Sequence, residues 1–170
     1  MGRKRVYTRV VWQKNEEPAS PLEKKRQTLI IVLDTNCLIQ ILPRLSEHRW
    51  MYELILRGEI NLAITNEILS EYAEVLDYFF KSQTLGELIT KVIIELPGTQ
   101  KTTVYYYFGL ISNDPDDNKF VDCAITANAD YIITNDRHFR ILKDVPFPKV
   151  VTMTLNQFRK FWQKNQKQGE

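Results

Sequence analysis

The chain lacks several features that mark particular classes of protein. Its 170 residues include only two cysteines and two histidines. Cys37 and Cys123 lie far apart in apolar surroundings, which argues against a disulfide framework and against a zinc site. The six glycines form no phosphate-binding loop. No apolar run approaches the roughly 20 residues that span a bilayer, and residues 1–5 are not followed by an apolar core of the length typical of a signal peptide. We therefore predict a cytoplasmic protein with no membrane association, in which Cys37 and Cys123 are buried thiols.

Length and charge predict one domain with basic ends. The 170 residues suit a single compact domain. Residues 1–28 contain eight Lys or Arg against three Glu, and residues 159–170 contain four against one, which leaves residues 29–158 with a net charge of −6. We divide the chain into a basic N-terminal arm (1–28), a central domain (29–156), and a helix end with a basic tail (157–170). The basic ends either hold a polyanion or solubilise the chain.

From residue 29 onward, short apolar runs alternate with segments of helical period, the order typical of a parallel sheet with helical crossovers. We predict strands at residues 29–33, 61–64, 131–134 and 150–152. Helices are predicted at residues 37–42, 49–57, 66–78, 85–96, 119–128 and from 154 onward. Residues 102–111 include Tyr105, Tyr106, Tyr107 and Phe108. We interpret these aromatic residues as buried in core and edge contacts, and the alternative is a surface on which bases stack.

Four acidic residues follow short apolar runs. Asp34 comes directly after the first strand, and Glu71 lies about two turns into the helix after the second. Asp117 ends an acidic cluster before a helix, and Asp136 follows the third strand. Carboxylates at the ends of parallel strands converge at one edge of the sheet, where they repel one another unless a cation joins them. Oxygen ligands favour Mg²⁺ or Mn²⁺ over zinc, and such an ion activates water against a phosphodiester.

Each of these acids also has a structural alternative, because Asp caps helices and favours turns. Three neighbours compete for the same roles: Glu67 and Glu74 with Glu71, and Asp116 with Asp117. Asp122, one turn beyond the cluster, is a second-rank ligand candidate. Neither histidine lies in a setting typical of a catalytic triad, and we interpret His48 and His138 as surface or structural residues.

Four segments in order carry a family resemblance: VLDTN (32–36), ILSEY (68–72), DPDDNKF (114–120) and ADYIITND (129–136). Together they resemble the PIN-domain family over about residues 30–156, in particular its branch of toxins from toxin–antitoxin pairs. The resemblance implies a three-layer α/β/α PIN-like domain with a central, mostly parallel sheet. It also implies a metal-dependent endoribonuclease that binds RNA as substrate and an antitoxin as partner.

Carried over by motif, the family acids match Asp34, Glu71, Asp117 and Asp136. The resemblance implies that the first, third and fourth hold Mg²⁺ or Mn²⁺, that Asp114 ligates directly or through water, and that Glu71 ligates or orients the attacking water. The polar positions that support the first and last acids are Asn36 and Thr134. The basic arm lies outside the usual family domain.

Two other functions are compatible with this pattern. A non-catalytic RNA-binding or scaffolding protein would keep the fold and use basic residues of the arm for phosphate contacts. Those residues are Arg3, Lys4, Arg5, Lys24, Lys25 and Arg26. A phosphatase-like hydrolase would need a second Asp two residues after Asp34, where the chain has Asn36. The aromatic run and residues 6–12, which have strand-like composition, also suggest a homodimer.

Overall fold

The computed structural model describes residues 28–167. The six basic residues proposed for RNA contacts and the strand-like residues 6–12 lie outside this range. Five strands form one sheet in the order β3-β2-β1-β4-β5, and every neighbouring pair is parallel. The strands are β1 (Leu29–Leu33), β2 (Ile60–Ile64), β3 (Thr99–Lys101), β4 (Tyr131–Ile133) and β5 (Thr152–Met153).

Helices cover both faces of the sheet and give the three-layer α/β/α architecture that the sequence predicted. They are α1 (Thr35–Ile41), α2 (Arg49–Leu56), α3 (Asn66–Phe80), α4 (Leu85–Glu95), α5 (Asn118–Thr126) and α6 (Leu155–Lys167). Two short 3₁₀ helices, Pro115–Asp117 and Arg137–Lys143, precede α5 and follow β4. None of the helices within residues 28–167 is long and apolar enough to cross a membrane.

The position of β1 at the centre of the sheet explains why its sequence is continuously apolar. It pairs with β2 on one side and β4 on the other, while helices cover both of its faces. Ile31, Val32 and Leu33 are completely buried, as a strand needs to be when both faces meet protein. The buried thiols predicted at Cys37 and Cys123 are confirmed, and both cysteines are free. The core thus places the end of β1, and Asp34 after it, in the middle of the sheet edge.

Local signals account for the helix boundaries. The Thr65 hydroxyl caps α3 by accepting from the Ile68 amide at 3.1 Å, as Thr does at an N-cap. Thr154 and Gln157 form the predicted reciprocal capping box at the start of α6, with distances of 2.9 and 3.2 Å. Gly58, at φ +67°, ends the turn after α2 in the left-handed region that glycine tolerates best. These ends depend on residues within one turn, so the sequence predicted them closely.

Two features differ from the sequence analysis. Strand β3 was not predicted, because Thr99-Gln100-Lys101 contains no apolar residue and this edge strand is held by its pairing with β2. Residues 102–111 have no regular secondary structure, and their aromatic side chains are exposed: Tyr105 79%, Tyr106 79%, Tyr107 75% and Phe108 42%. The interpretation of these aromatic residues as buried is therefore wrong. The segment leaves the sheet at its edge strand β3, and within residues 28–167 these four side chains stay partly or largely uncovered.

Candidate metal centre

Asp34 is the most enclosed acid of the site, with 4% of its surface exposed. It caps α1, and its Oδ1 accepts from the Asn36 amide at 3.2 Å. Its Oδ2 accepts from the Thr134 hydroxyl at 2.7 Å. Burial raises the pKa of Asp34, and the charges of Asp136 and Glu71 raise it further, against the lowering effect of these two hydrogen bonds. The carboxylate is therefore held in one orientation, and within residues 28–167 no positive charge offsets its burial.

Thr134 links the ends of β1 and β4. Its hydroxyl donates to Asp34 and accepts from the Asp136 amide at 2.9 Å. Asp136 then caps the 3₁₀ helix Arg137–Lys143, with its Oδ1 accepting from the His138 amide at 2.8 Å. One buried hydroxyl thus sets the position of two acids from neighbouring strands. The supporting role of Thr134 stays a prediction, and these two contacts are the ones through which it would act.

Glu71 is held by two side chains that the sequence analysis did not select. One carboxylate oxygen accepts from the Thr35 hydroxyl, and the other is paired with the Lys119 ammonium. Burial lowers the pKa of Lys119, but the hydrogen bond and charge of Glu71 outweigh this effect and raise it overall. Thr35, next to Asp34, makes this contact, whereas the exposed Asn36 contributes only its backbone amide to Asp34.

A third group lies at the start of α5. One ligand atom from each of Asp114, Asp117 and His138 can be chosen so that all three lie within 4.8 Å of one another. His138 Nδ1 is 3.5 Å from Asp114 Oδ2, 3.6 Å from Asp117 Oδ2 and 3.4 Å from Asp136 Oδ1. Among the described residues, Asp117 Oδ2 and His138 Nδ1 are buried without a hydrogen-bond partner. Buried polar atoms without partners are unusual and need an explanation.

The pKa of Asp117 reflects its burial among other carboxylates. Burial raises the pKa of Asp117 to about 6, and the charges of Asp114, Asp136 and Asp34 add to the rise, while His138 opposes it. A bound divalent cation would reverse this repulsion, since it supplies the opposite charge that clustered carboxylates need. The carboxylate-rich donor set and the two unpartnered buried atoms fit such an ion.

Glu71 and Asp117 differ from their competitors in exposure and in contacts, although all five acids line one cavity. Glu67, Glu74 and Asp116 are exposed, whereas Glu71 and Asp117 make the contacts described above. Asp122 is 1% exposed and accepts from the Phe108 amide at 3.0 Å, so it anchors the aromatic segment. The predicted residues that come together are Asp34, Glu71, Asp114, Asp117, Asp136 and Thr134.

Sequence reasoning missed Thr35, Lys119 and His138. Lys119 lies inside the recognised segment DPDDNKF, and His138 lies two residues after ADYIITND, so proximity to the acids of those segments was the available signal. It was weak, because a lysine or histidine in the first turn of a helix is equally typical of a solvated surface. Their role depends on how α5 and the 3₁₀ helix Arg137–Lys143 approach each other, which is a tertiary property.

Comparison with known proteins agrees with this architecture. The fold is similar to VapBC2 from Rickettsia felis bound to a DNA fragment from its promoter, with 19% identity, a TM-score of 0.50, and coverage of 74% of this chain and 98% of that one. It is also similar to VapBC-1 from nontypeable Haemophilus influenzae, with 16% identity, a TM-score of 0.53, and coverage of 75% and 99%. No curated protein sequence shows significant similarity.

Identity this low shows the shared fold alone. The sequence itself carries a more specific match, because the family model of the PIN domain covers residues 30–138, which is more than half of the chain and includes every acid of the site. The chain belongs to the PIN-domain family.

Proposed function

We propose that the protein is a metal-dependent endoribonuclease that cleaves RNA phosphodiesters with an activated water molecule. The observation that carries this proposal is the convergence of Asp34, Asp114, Asp117 and Asp136 at one edge of the sheet. One Asp117 oxygen there is buried and has no hydrogen-bond partner within residues 28–167. Four carboxylates at this density disfavour the folded state unless a cation joins them. The ligand edge of an open α/β sheet lies at the carboxyl ends of its strands, where these residues are found.

The residues would divide the chemistry as follows. Asp34, Asp117 and Asp136 hold Mg²⁺ or Mn²⁺, and Asp114 ligates directly or through water. The bound ion would polarise the scissile phosphoryl group and lower the pKa of a water molecule for in-line attack. Glu71, fixed by Thr35 and Lys119, either ligates or accepts a hydrogen bond from the attacking water and orients it.

The substrate side of the proposal depends on the adjoining surface. An open cavity of about 490 Å³ has a size typical of ligand sites. Its charged lining residues are Glu67, Glu71, Glu74, Asp114, Asp116, Asp117 and Lys119. The exposed residues Tyr105–Tyr107 lie on the segment that leads from β3 to Asp114. Uncharged aromatic side chains stack on single-stranded bases regardless of their sequence. We propose that this segment holds RNA beside the acids.

A protein partner completes the proposal. The sequence resembles the toxin branch of the PIN-domain family, and two solved structures with this fold are of VapBC. We propose that the protein is the toxin of a toxin–antitoxin pair and acts in the cytoplasm. A small partner encoded in the neighbouring reading frame, which co-purifies with the protein and inhibits cleavage, is the expected finding. An isolated gene would indicate a housekeeping nuclease.

The nuclease is tested by incubating purified protein with a pool of structured RNAs in Mn²⁺, Mg²⁺ or EDTA. Asp34→Asn is the inactive variant, and Asp144→Asn, which neutralises an exposed acid outside the acidic cluster, is the matched control. Cleavage that requires metal, disappears in Asp34→Asn and persists in Asp144→Asn is expected. Equal cleavage by all three proteins would indicate a contaminant. RNA binding without cleavage, unchanged in Asp34→Asn, would favour the non-catalytic function.

A further inference from the structure

We propose that His138 is a metal ligand through Nδ1, so that the centre has a mixed nitrogen and oxygen donor set. This inference rests on the proposed function, because it concerns the same cation. It changes the expected ion preference. Carboxylates alone suit Mg²⁺ and Mn²⁺ alike, whereas an imidazole nitrogen favours transition-metal ions. The chain would therefore bind Mn²⁺ and Co²⁺ more tightly, relative to Mg²⁺, than the four carboxylates would by themselves.

The distances around His138 match those of ligands that share an ion. Two donor atoms at about 2.1 Å from one cation lie roughly 3.0–3.5 Å apart when the angle between them is 90–109°. His138 Nδ1 lies 3.4–3.6 Å from one oxygen each of Asp114, Asp117 and Asp136. These separations need to close by only a few tenths of an ångström around an ion.

The three contacts are poor hydrogen bonds. Among the described residues, none gives His138 Nδ1 a partner with acceptable geometry, although the atom is buried. An imidazole whose purpose was to bind one of these carboxylates would approach at about 2.7–2.9 Å. The nitrogen instead lies nearly equidistant from three oxygens, which is the arrangement expected of a ligand around a shared centre.

The backbone fixes the position of this ring. The His138 amide donates to Asp136 Oδ1 at 2.8 Å, and the next residue, Phe139, is 1% exposed. Phe139 contacts Phe120 of α5 with ring centroids 6.4 Å apart. The 3₁₀ helix that carries His138 is thus packed against the helix that follows Asp117. A ligand held by two packed elements is preorganised for a metal.

A competing explanation makes the opposite prediction. If His138 were a counter-ion that neutralises the carboxylates, it would compete with a cation, and removing it would strengthen metal binding. If it is a ligand, removing it weakens binding. The sign of the change therefore separates the two roles, and neither result depends on RNA cleavage.

The test uses the full-length, tag-free protein loaded with Mn²⁺. Electron spin echo envelope modulation (ESEEM) detects ¹⁴N bonded to Mn²⁺, and isothermal titration gives the dissociation constants of Mn²⁺ and Mg²⁺. The matched variants are His138→Gln and His48→Gln, because the chain has only these two histidines. We expect ¹⁴N coupling in the wild type and in His48→Gln, and none in His138→Gln. The Mn²⁺ dissociation constant should rise at least about tenfold in His138→Gln, and that of Mg²⁺ should rise less.

Persistence of ¹⁴N coupling in His138→Gln, or unchanged or tighter Mn²⁺ binding in that variant, would overturn the proposal. If His138→Gln failed to fold, coupling present in the wild type and retained in His48→Gln would still assign the nitrogen to His138. If the wild type binds Mn²⁺ without ¹⁴N coupling and Asp117→Asn loses that binding, the proposed metal centre stands and only the assignment of His138 as a ligand is rejected. No Mn²⁺ binding by the wild type would reject both proposals.

Discussion

Replacing Asp117 by Asn should stabilise the metal-free protein while removing most of its response to metal. The described hydrogen bonds make no use of the Asp117 side chain, and its Oδ2 is buried without a partner among those residues. Neutralising it therefore breaks no hydrogen bond, and the repulsion from Asp114, Asp136 and Asp34 that it removes outweighs the attraction of His138 that it also loses. Metal binding, by contrast, loses a charged ligand.

The size of the effect follows from the pKa. In the folded protein the pKa of Asp117 rises from 3.8 to about 6, and each unit corresponds to about 1.4 kcal/mol. The Asp117 side chain is 16% exposed to solvent. Solvent screening therefore reduces the destabilisation that corresponds to the pKa shift from ~3 kcal/mol to about 1–1.5 kcal/mol. For a chain of this length the melting temperature of Asp117→Asn in EDTA should rise by about 2–6 °C.

The pH dependence has a definite sign. Because the folded pKa is raised, the native state binds more protons than the unfolded state between pH 3.8 and about 6. The free energy of unfolding of the wild type therefore falls as pH rises through this window and stays lower above it. The advantage of Asp117→Asn should be absent below pH 3.8 and complete above about pH 6.

Thermal unfolding followed by circular dichroism, in EDTA and in Mn²⁺, measures both effects. A saturating ion at 100 times its dissociation constant should stabilise the wild type by about 2.7 kcal/mol. The wild type should therefore melt below Asp117→Asn in EDTA and above it in Mn²⁺. Asp116→Asn, one residue away and exposed, should behave like the wild type in both buffers. The reasoning fails if Asp117→Asn melts at or below the wild type in EDTA, or if Mn²⁺ raises all three melting temperatures equally.

Three further predictions address other parts of the structure. Thr134→Val removes a hydroxyl that serves two acids at once, so urea titration should show a loss of about 2–4 kcal/mol; a loss below 0.5 kcal/mol would contradict the bridging role. Gly86→Ala places a methyl group 2.0 Å from the Ala73 carbonyl oxygen, and overpacking of α4 on α3 should cost about 1–3 kcal/mol in the same assay; an unchanged midpoint would show that the helices separate freely. Alanine at any one of Tyr105–Tyr107 should weaken binding of single-stranded RNA by about 1–3 kcal/mol per lost stack in fluorescence anisotropy, without changing the melting temperature; equal affinity would remove this segment from the substrate surface.

The strands that carry the site were predictable because their signals are local. β1 and β4 are short apolar runs, and the acids that follow them cap the next helix through contacts two residues away. Asp34, Asp136 and the cluster before α5 could therefore be selected from spacing alone. The edge strand β3 could not, because its stability comes from backbone bonds to β2 and its residues have no apolar pattern.

The choice among neighbouring acids needed the fold. Glu67, Glu71 and Glu74 share one helix with similar spacing, and only the approach of Thr35 and Lys119 distinguishes Glu71. The same holds for Asp117 against Asp116, where the position of His138 decides. The domain boundaries and the role of the basic arm stay predictions.

The sequence by itself determined the class of fold and most of the acids at the sheet edge, because apolar period, caps and strand ends are properties of a few adjacent residues. The tertiary structure alone decided what surrounds those acids. It brought Lys119 to Glu71 across 48 residues and placed His138 among three carboxylates from two motifs. It also left the aromatic segment after the edge strand β3 exposed. Contacts between distant segments depend on how helices pack on the sheet, and no local pattern encodes that arrangement.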